Sequence, residues 1–245
     1  MHGLDALQSV QFVTTKGRRL AVLDVEGGHQ PMRGPSERTW IVYNGELYNY
    51  RDLRQELVAK GVRLRTRSDT EVLLAMYEQY GSSFVERLNG MFAFAIWDDR
   101  NRSMILGRDR LGIKPLYVWY GSDCVIAASE IKSILAYPGA PREVRDGALA
   151  EYVAFRQLAG WRTMFRDMDA MPPGTIEVHR TTKFVRSRFW SLPSAASIDR
   201  DVTAKAAATE LRSLLEDSVR LQVIADVPLG TFNSGGLDSS LVSSL

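Results

Sequence analysis

The run Ser234-Gly235-Gly236-Leu237-Asp238-Ser239-Ser240 constrains this chain more than any other stretch. Ahead of it, Pro228-Leu229-Gly230-Thr231-Phe232-Asn233 has the length and apolar character of a buried parallel strand. Behind it, Leu241 to Leu245 reads as the first turns of a helix. Two glycines let the backbone turn sharply and bring its N–H groups close to a ligand, at a helix end whose dipole favours anions. The hydroxyls of Ser234, Ser239 and Ser240 add donors suited to phosphate oxygens. Asp238 belongs beside a phosphate only with a cation between them, which points to Mg²⁺. The plainer alternative is a Ser/Gly turn capping an ordinary helix. Strand, SGGxDSS and helix in series favour a loop for the pyrophosphate of ATP.

At 245 residues the chain is long enough to bury a substantial core, as one large domain or two small ones. A balanced formal charge of +2 gives no basis for nucleic acid or an anionic membrane as a partner. Arg63, Arg65 and Arg67 alternate as on the solvated face of a strand. The single cysteine, Cys124, excludes an internal disulfide framework and fits a reducing cytoplasm. No apolar run approaches membrane-spanning length, and residues 1–17 lack the apolar core of a signal peptide. The expectation is a soluble, cytoplasmic α/β protein.

Hydrophobic patterning separates the regions. Leu20–Leu23 and Trp40–Tyr43 read as strands, joined through the turn-rich Gly27-Gly28-His29-Gln30-Pro31. Residues 50–60 read as a helix carrying Leu53 and Leu57, stopped by Gly61. Ser68 opens a second helix with Val72, Leu73, Met76 and Tyr77 as its stripe, and Glu71 is placed to complete a capping box. Residues 91–97 and 104–106 form a hairpin about the charged turn 98–102. Residues 116–120 and 125–128 form another strand pair, and residues 130–136 a short helix. Prolines punctuate residues 138–200 around a helix at 146–156 and strands at 175–179 and 184–190. A long helix over 204–223 carries Leu211, Leu214, Leu215, Val219 and Val223 on one face. Many strands and few helices to residue 137 predict an α+β fold of layered sheets packed with helices. The helix at 204–223 with the run at 228 predicts the opening of an α/β nucleotide-binding domain.

A second chemical signal is Tyr43-Asn44-Gly45-Glu46-Leu47-Tyr48-Asn49, at the end of a strand. The Asn44 amide and the Gly45 N–H together suit a developing oxyanion, as acyl transfer requires. Glu46 and Asp69 suit an ammonium, and Arg19 suits a carboxylate held by two hydrogen bonds. A zwitterionic amino acid would satisfy this set. Taken singly, each residue has a plainer reading: Asn-Gly as a turn, Asp69 as a first-turn helix residue, Arg19 as a surface charge.

Taken in order, the chain strongly resembles glutamine-hydrolysing asparagine synthetases over residues 17–245. The motifs are Arg19-Leu20-Ala21-Val22-Leu23-Asp24, Gly28-His29-Gln30-Pro31, Asn44-Gly45-Glu46-Leu47-Tyr48-Asn49, Ser68-Asp69-Thr70-Glu71, Asn89 to Ala95, Arg108 to Tyr117, Ser129-Glu130-Ile131-Lys132 and the terminal SGGLDSS. The resemblance implies an N-terminal-nucleophile glutamine amidotransferase domain over 1–137, its end and a linker over 138–200, and the start of an ATP-pyrophosphatase synthetase domain from 201. It implies glutamine, aspartate and ATP as substrates, Mg²⁺ as cofactor, and admits a homodimer. Arg19 and the backbone near Val22 would hold the glutamine carboxylate. Asn44 and Gly45 would form the oxyanion hole, and Glu46 and Asp69 would take the amino group. Phe232, Ser234, Gly235, Gly236, Asp238 and Ser239 would bind ATP, with Asp238 on Mg²⁺. Phe232 and Asn233 depart from the family's usual aliphatic residues beside the adenine.

The family's nucleophile is a cysteine following the initiator methionine, activated by its own free amine. This chain opens Met1-His2-Gly3, and its one cysteine is Cys124. The expectation is therefore a family member incomplete at both ends, inactive as written. Two other readings stay open at this stage. One is an ATP-dependent ligase in the style of the β-lactam synthetases, which lack that cysteine; intact Arg19, Asn44, Glu46 and Asp69 argue against it. The other is a module that binds glutamine without hydrolysing it.

Overall fold

Apolar runs with two buried faces build the body of the protein. The structure, a computed structural model, describes residues 27–122, 124–180, 183–194, 201–224 and 228–245. In chain order its strands are β1 (Met32–Arg33), β2 (Thr39–Leu47), β3 (Gly90–Asp98), β4 (Ser103–Arg108), β5 (Tyr117–Tyr120), β6 (Val125–Ala128), β7 (Met168–Ala170), β8 (Thr175–Arg180) and β9 (Lys183–Arg188). The helices are α1 (Tyr50–Ala59), α2 (Asp69–Tyr80), α3 (Ile131–Leu135), α4 (Ala148–Phe155), α5 (Ala204–Gln222) and α6 (Leu237–Ser244), with a 3-10 helix over Gly81–Arg87. Six strands form an antiparallel sheet in the order β1-β2-β3-β4-β8-β9, and β6-β5-β7 form a second sheet. The strand at Leu20–Leu23 falls outside the described residues.

The register explains why residues 91–97 are apolar throughout. Because strand side chains alternate faces, Phe92, Phe94 and Ile96 point to one side and Ala93 and Trp97 to the other. The first group joins Ile41, Tyr43, Leu47, Ile105 and Ile176 under α1 and α2, with Leu53, Leu57 and Leu73 among the helix contacts. The second joins Met104 and Leu106 against Leu116, Val118 and Met171 of the smaller sheet's side. Beyond that sheet, Trp119 and Met168 pack on Ile134 of α3. The layers run helices, sheet, sheet, helix, which bears out the α+β reading. Residues 138–200 contribute more than their prolines suggested, since β7 joins one sheet and β8 and β9 the other.

Three local expectations are corrected. Ser68 does cap α2, accepting from the Thr70 N–H at 3.2 Å, but no capping box closes. The Glu71 carboxylate instead accepts from the N–H groups of Arg65 and Thr66 at 2.8 and 2.6 Å and from the Thr66 hydroxyl at 2.8 Å. The stretch holding Arg63, Arg65 and Arg67 is consequently tied to α2 and forms no strand. Finally, residues 228–233 are irregular and exposed, with no strand pairing to them among the described residues. A parallel strand exists only through a neighbour's ladder. The apolar face of α5 is likewise open, with Leu211, Leu214 and Val223 all exposed.

A buried polar cluster spans the two sheets. The fully buried Glu177 carboxylate accepts from Arg186 Nε at 2.7 Å and from the Tyr120 hydroxyl at 2.9 Å, and shares a 2.8 Å bond with His179 Nε2. Burial alone would raise the Glu177 pKa, yet the His179 bond and the Arg186 charge hold it below the usual carboxylate value. Burial followed by the Glu177 charge pushes the Tyr120 hydroxyl up. His179 and Tyr120 each stack on Phe184, at 5.1 and 5.4 Å between centroids.

Candidate glutamine and nucleotide sites

The first candidate site forms where β2 runs out between its two faces. Asn44 and Glu46 share the face turned toward the second sheet, and Tyr43 and Leu47 share the face turned toward α2, as strand alternation requires. Beyond the short β1, the Gln30 side chain accepts the Tyr43 N–H at 2.7 Å, so a glutamine from the Gly28–Pro31 turn continues the ladder. The Asp69 carboxylate, at the start of α2, accepts from the Tyr43 hydroxyl at 3.1 Å and the Leu47 N–H at 3.0 Å. Asp69 is buried, and its charge with its bonds pins the end of β2 to the helix. Residues 26 and 22 positions apart in sequence are thereby brought to one place.

Burial and neighbouring charges shift the titrating groups at this end. The half-buried Glu46 carboxyl is raised above its ordinary value of 4.5, first by burial and then by the Asp69 charge, with Lys114 acting in the opposite direction. Burial, then Asp69, pushes the Tyr43 hydroxyl well above 10.0. Burial, then Glu46, raises Tyr48. A Glu46 carboxyl raised by burial and by a neighbouring carboxylate ionises more readily beside an added cation. An ammonium group has the matching charge and three donors.

Gly45 has a second reason to be glycine. A Cβ there would lie 2.2 Å from the Met91 carbonyl oxygen and 2.8 Å from Phe92 Cα, so close packing of β2 on β3 requires its absence. The Asn44 amide is exposed, and its Nδ2 donates to Ser129 Oγ at 3.3 Å. Arg19 and Val22 lie outside the described residues. Cys124 is partly buried, just ahead of β6.

The residues that support this site lie in the Arg108 to Tyr117 motif, to which the sequence alone gave no role. Asp109 is buried and accepts from the N–H groups of Phe92, Leu111, Ile113 and Lys114 at 3.2, 3.1, 3.0 and 3.0 Å. The neighbouring Arg108 guanidinium donates to the carbonyls of Lys114, Met171 and Gly112 at 2.8, 2.6 and 2.8 Å. Burial lowers its pKa from the ordinary guanidinium value, which the adjacent Asp109 charge opposes. Together they shape the loop that carries Lys114 to Glu46. The signal available in sequence was the Arg108-Asp109 pair itself, followed by glycine and proline in a turn.

The second candidate site is the loop before α6. Gly235 has φ +79°, a left-handed conformation that glycine adopts without strain. Gly236 is the N-cap of α6. Donors converge here on one oxygen: Asn233 Oδ1 accepts from the Gly235 N–H at 2.8 Å and from the Ser239 and Ser240 hydroxyls at 3.2 and 3.4 Å. The Ser234 and Ser239 hydroxyls are 3.0 Å apart. Such a donor set suits a phosphate oxygen equally well. Phe232 is fully solvent-facing, and Asp238 is exposed. Among the described residues no three or more His, Cys, Asp or Glu side chains gather as a metal cluster. No helix among them is long and apolar enough to cross a membrane.

Two families match successive stretches of the chain. Residues 6–190 match the glutamine amidotransferase domain, and residues 210–245 match asparagine synthase. The chain is 39% identical to asparagine synthetase [glutamine-hydrolyzing] 3 of Bacillus subtilis, over 93% of this chain and 37% of that protein. It is also 39% identical to asparagine synthetase [glutamine-hydrolyzing] 1 of the same organism, over 93% and 36%. The chain thus spans little more than a third of the relatives it matches. Among solved structures, a glutamine phosphoribosylpyrophosphate amidotransferase from B. subtilis aligns at 23% identity with a TM-score of 0.45, covering 66% of this chain and 32% of that one. With its match extending over most of its length, the chain belongs to the glutamine amidotransferase domain family and continues into asparagine synthase sequence.

Proposed function

We propose that this chain carries the glutamine site of an asparagine synthase, joined to the opening of its ATP-binding domain. The observation that carries the reading is the seating of the Asp69 carboxylate on the end of β2, where it accepts from the Tyr43 hydroxyl and the Leu47 N–H beside Asn44, Gly45 and Glu46. In this reading the substrate's ammonium sits against Glu46 and Asp69, and Arg19 with the backbone near Val22 takes its carboxylate. The side-chain carbonyl then faces Asn44 and Gly45, which donate to the oxyanion as it develops. The division follows the same reading: amidotransferase residues through 137, their completion and a linker over 138–200, and synthase residues from 201.

At the second site, Ser234, Gly235, Gly236 and Ser239 would donate to pyrophosphate oxygens in place of Asn233 Oδ1, and Phe232 would lie nearest the base. Asp238 would hold Mg²⁺ through one carboxylate, with phosphate oxygens and water as the other ligands. When bound, ATP with Mg²⁺ supplies activation of the acceptor carboxylate, which the family makes on aspartate. The family's attacking thiol is an N-terminal cysteine, whereas Cys124 is internal. We expect these 245 residues to bind glutamine.

Calorimetric titration with L-glutamine across pH tests the reading. The ammonium needs Glu46 ionised, and the Glu46 pKa is raised, so affinity should begin to fall at a pH above 4.5. For one linked proton the loss approaches about tenfold per pH unit below the Glu46 pKa. Glu46→Gln should weaken binding at neutral pH and flatten that dependence. No binding at neutral pH, or the same slope in Glu46→Gln, contradicts the assignment.

A further inference from the structure

The Ser129-Glu130-Ile131-Lys132 motif lies far in sequence from the glutamine site, and the function proposed above gives it no task. Its first residue nevertheless touches that site. Ser129 follows β6 directly, in the smaller sheet, while Asn44 lies on β2 in the larger one. The 3.3 Å bond from Asn44 Nδ2 to Ser129 Oγ therefore bridges the two sheets, across 85 residues of sequence.

That bridge matters because of what holds Asn44 otherwise. Its backbone is fixed: Asn44 pairs with Ala93, and the neighbouring Gly45 packs directly on the β3 backbone. Its side chain is exposed and has no other hydrogen bond among the described residues. An exposed asparagine turns freely about two side-chain torsions, and the plane of its amide is then undefined. Accepting one N–H of Nδ2 fixes that plane and the position of the nitrogen. The second N–H of the same nitrogen remains for a ligand. Ser129 itself is set by its place between β6 and α3, where Glu130 is the N-cap residue.

We infer that Ser129 is a positioning residue, whose hydroxyl orients the Asn44 amide toward the side-chain carbonyl of bound glutamine. The inference rests on the glutamine-site reading. It assigns to Ser129 the carbonyl end of the ligand only, with no part in holding its ammonium or carboxylate.

That restriction supplies the test. L-norvaline keeps the ammonium, the carboxylate and a three-carbon side chain, and lacks the amide. Ser129→Ala in the 245-residue chain should weaken L-glutamine binding about 3- to 10-fold, the range expected for one orienting hydrogen bond. L-norvaline binding should stay within about twofold, and Ser129→Thr, which retains the hydroxyl, should restore glutamine affinity. In an Asn44→Ala background, Ser129→Ala should add no further loss, because the two act as a unit. Equal weakening of both ligands, no weakening of glutamine, or additive losses in the double variant overturns the inference. So does a Ser129→Ala chain that loses its folded amide spectrum, since the residue would then support the fold and not the ligand. Failure of the unsubstituted chain to bind glutamine is a different result: it removes the functional reading and this inference with it.

Discussion

Replacing Asp109 with alanine is expected to destabilise the chain by about 3–5 kcal/mol, among the largest effects available to a single substitution here. Four backbone N–H groups, from Phe92, Leu111, Ile113 and Lys114, converge on this one buried carboxylate. Each hydrogen bond to a charged group contributes roughly 1.5–3 kcal/mol, and buried donors left without a partner cost more than the bond they lose. The full sum will not appear. Leu111 and Ile113 have exposed side chains, so water can reach part of this turn after substitution. Phe92 is the exception, buried at the start of β3, and Arg108 beside it would lose its adjacent counter-charge. Asp109→Asn, which keeps one acceptor oxygen, should recover about half of the loss. Urea unfolding of the three chains measures this directly. A loss below about 1 kcal/mol in Asp109→Ala would show that the loop holds itself together without the carboxylate.

Gly45→Ala is the second large effect, through sterics alone. The added carbon would sit 2.2 Å from the Met91 carbonyl oxygen, 2.8 Å from Phe92 Cα and 3.0 Å from Tyr43 Cε2. Two of these neighbours are backbone, so no rotamer change relieves the contact. The β2–β3 ladder must open at the Gly45–Phe92 pair. Overpacking of this kind costs about 1–3 kcal/mol, and the upper end is expected because the β3 backbone cannot move aside without breaking its other ladder with β4. Asn44 and Glu46 flank the position, so the site shifts with the strand. Glutamine affinity should drop at least tenfold even below the melting temperature, since misplacement by an ångström suffices. Unchanged stability with unchanged glutamine affinity would refute both the packing argument and the placement of the site.

Several parts of this fold were legible from residue pattern because they depend on near neighbours. The 91–106 hairpin follows from two apolar runs about a charged turn. Helices α1 and α2 follow from Leu53 and Leu57 and from Ser68. The Asn44-Gly45-Glu46 segment and Asp69 stood out by chemistry, and the fold places them together. What stayed hidden depends on distant partners. Glu71 has the spacing of a capping box, but the N–H groups of Arg65 and Thr66 are nearby donors that need an acceptor, and they take its carboxylate. α2 showed a stripe, yet it is buried from Asp69 to Tyr77, because it is covered on more sides than one apolar face implies. Glu177 and Tyr120, 57 residues apart, meet only because β5 and β8 face each other across two sheets. Ser129 and Lys114 reach the site for the same reason. Residues 228–233 read as a strand on composition, but strands exist by pairing.

The central claim is that glutamine binds at the end of β2. Two-dimensional NMR of the isotopically labelled chain, titrated with L-glutamine, tests it most directly. Backbone amides of Asn44, Gly45, Glu46, Leu47 and Asp69 should shift first and saturably, with the Asn44 side-chain amide and Ser129 moving in step. The Glu177–Arg186 cluster and helices α5 and α6 should stay still. Shifts centred on those elements, or no saturable shift at all, would contradict the account.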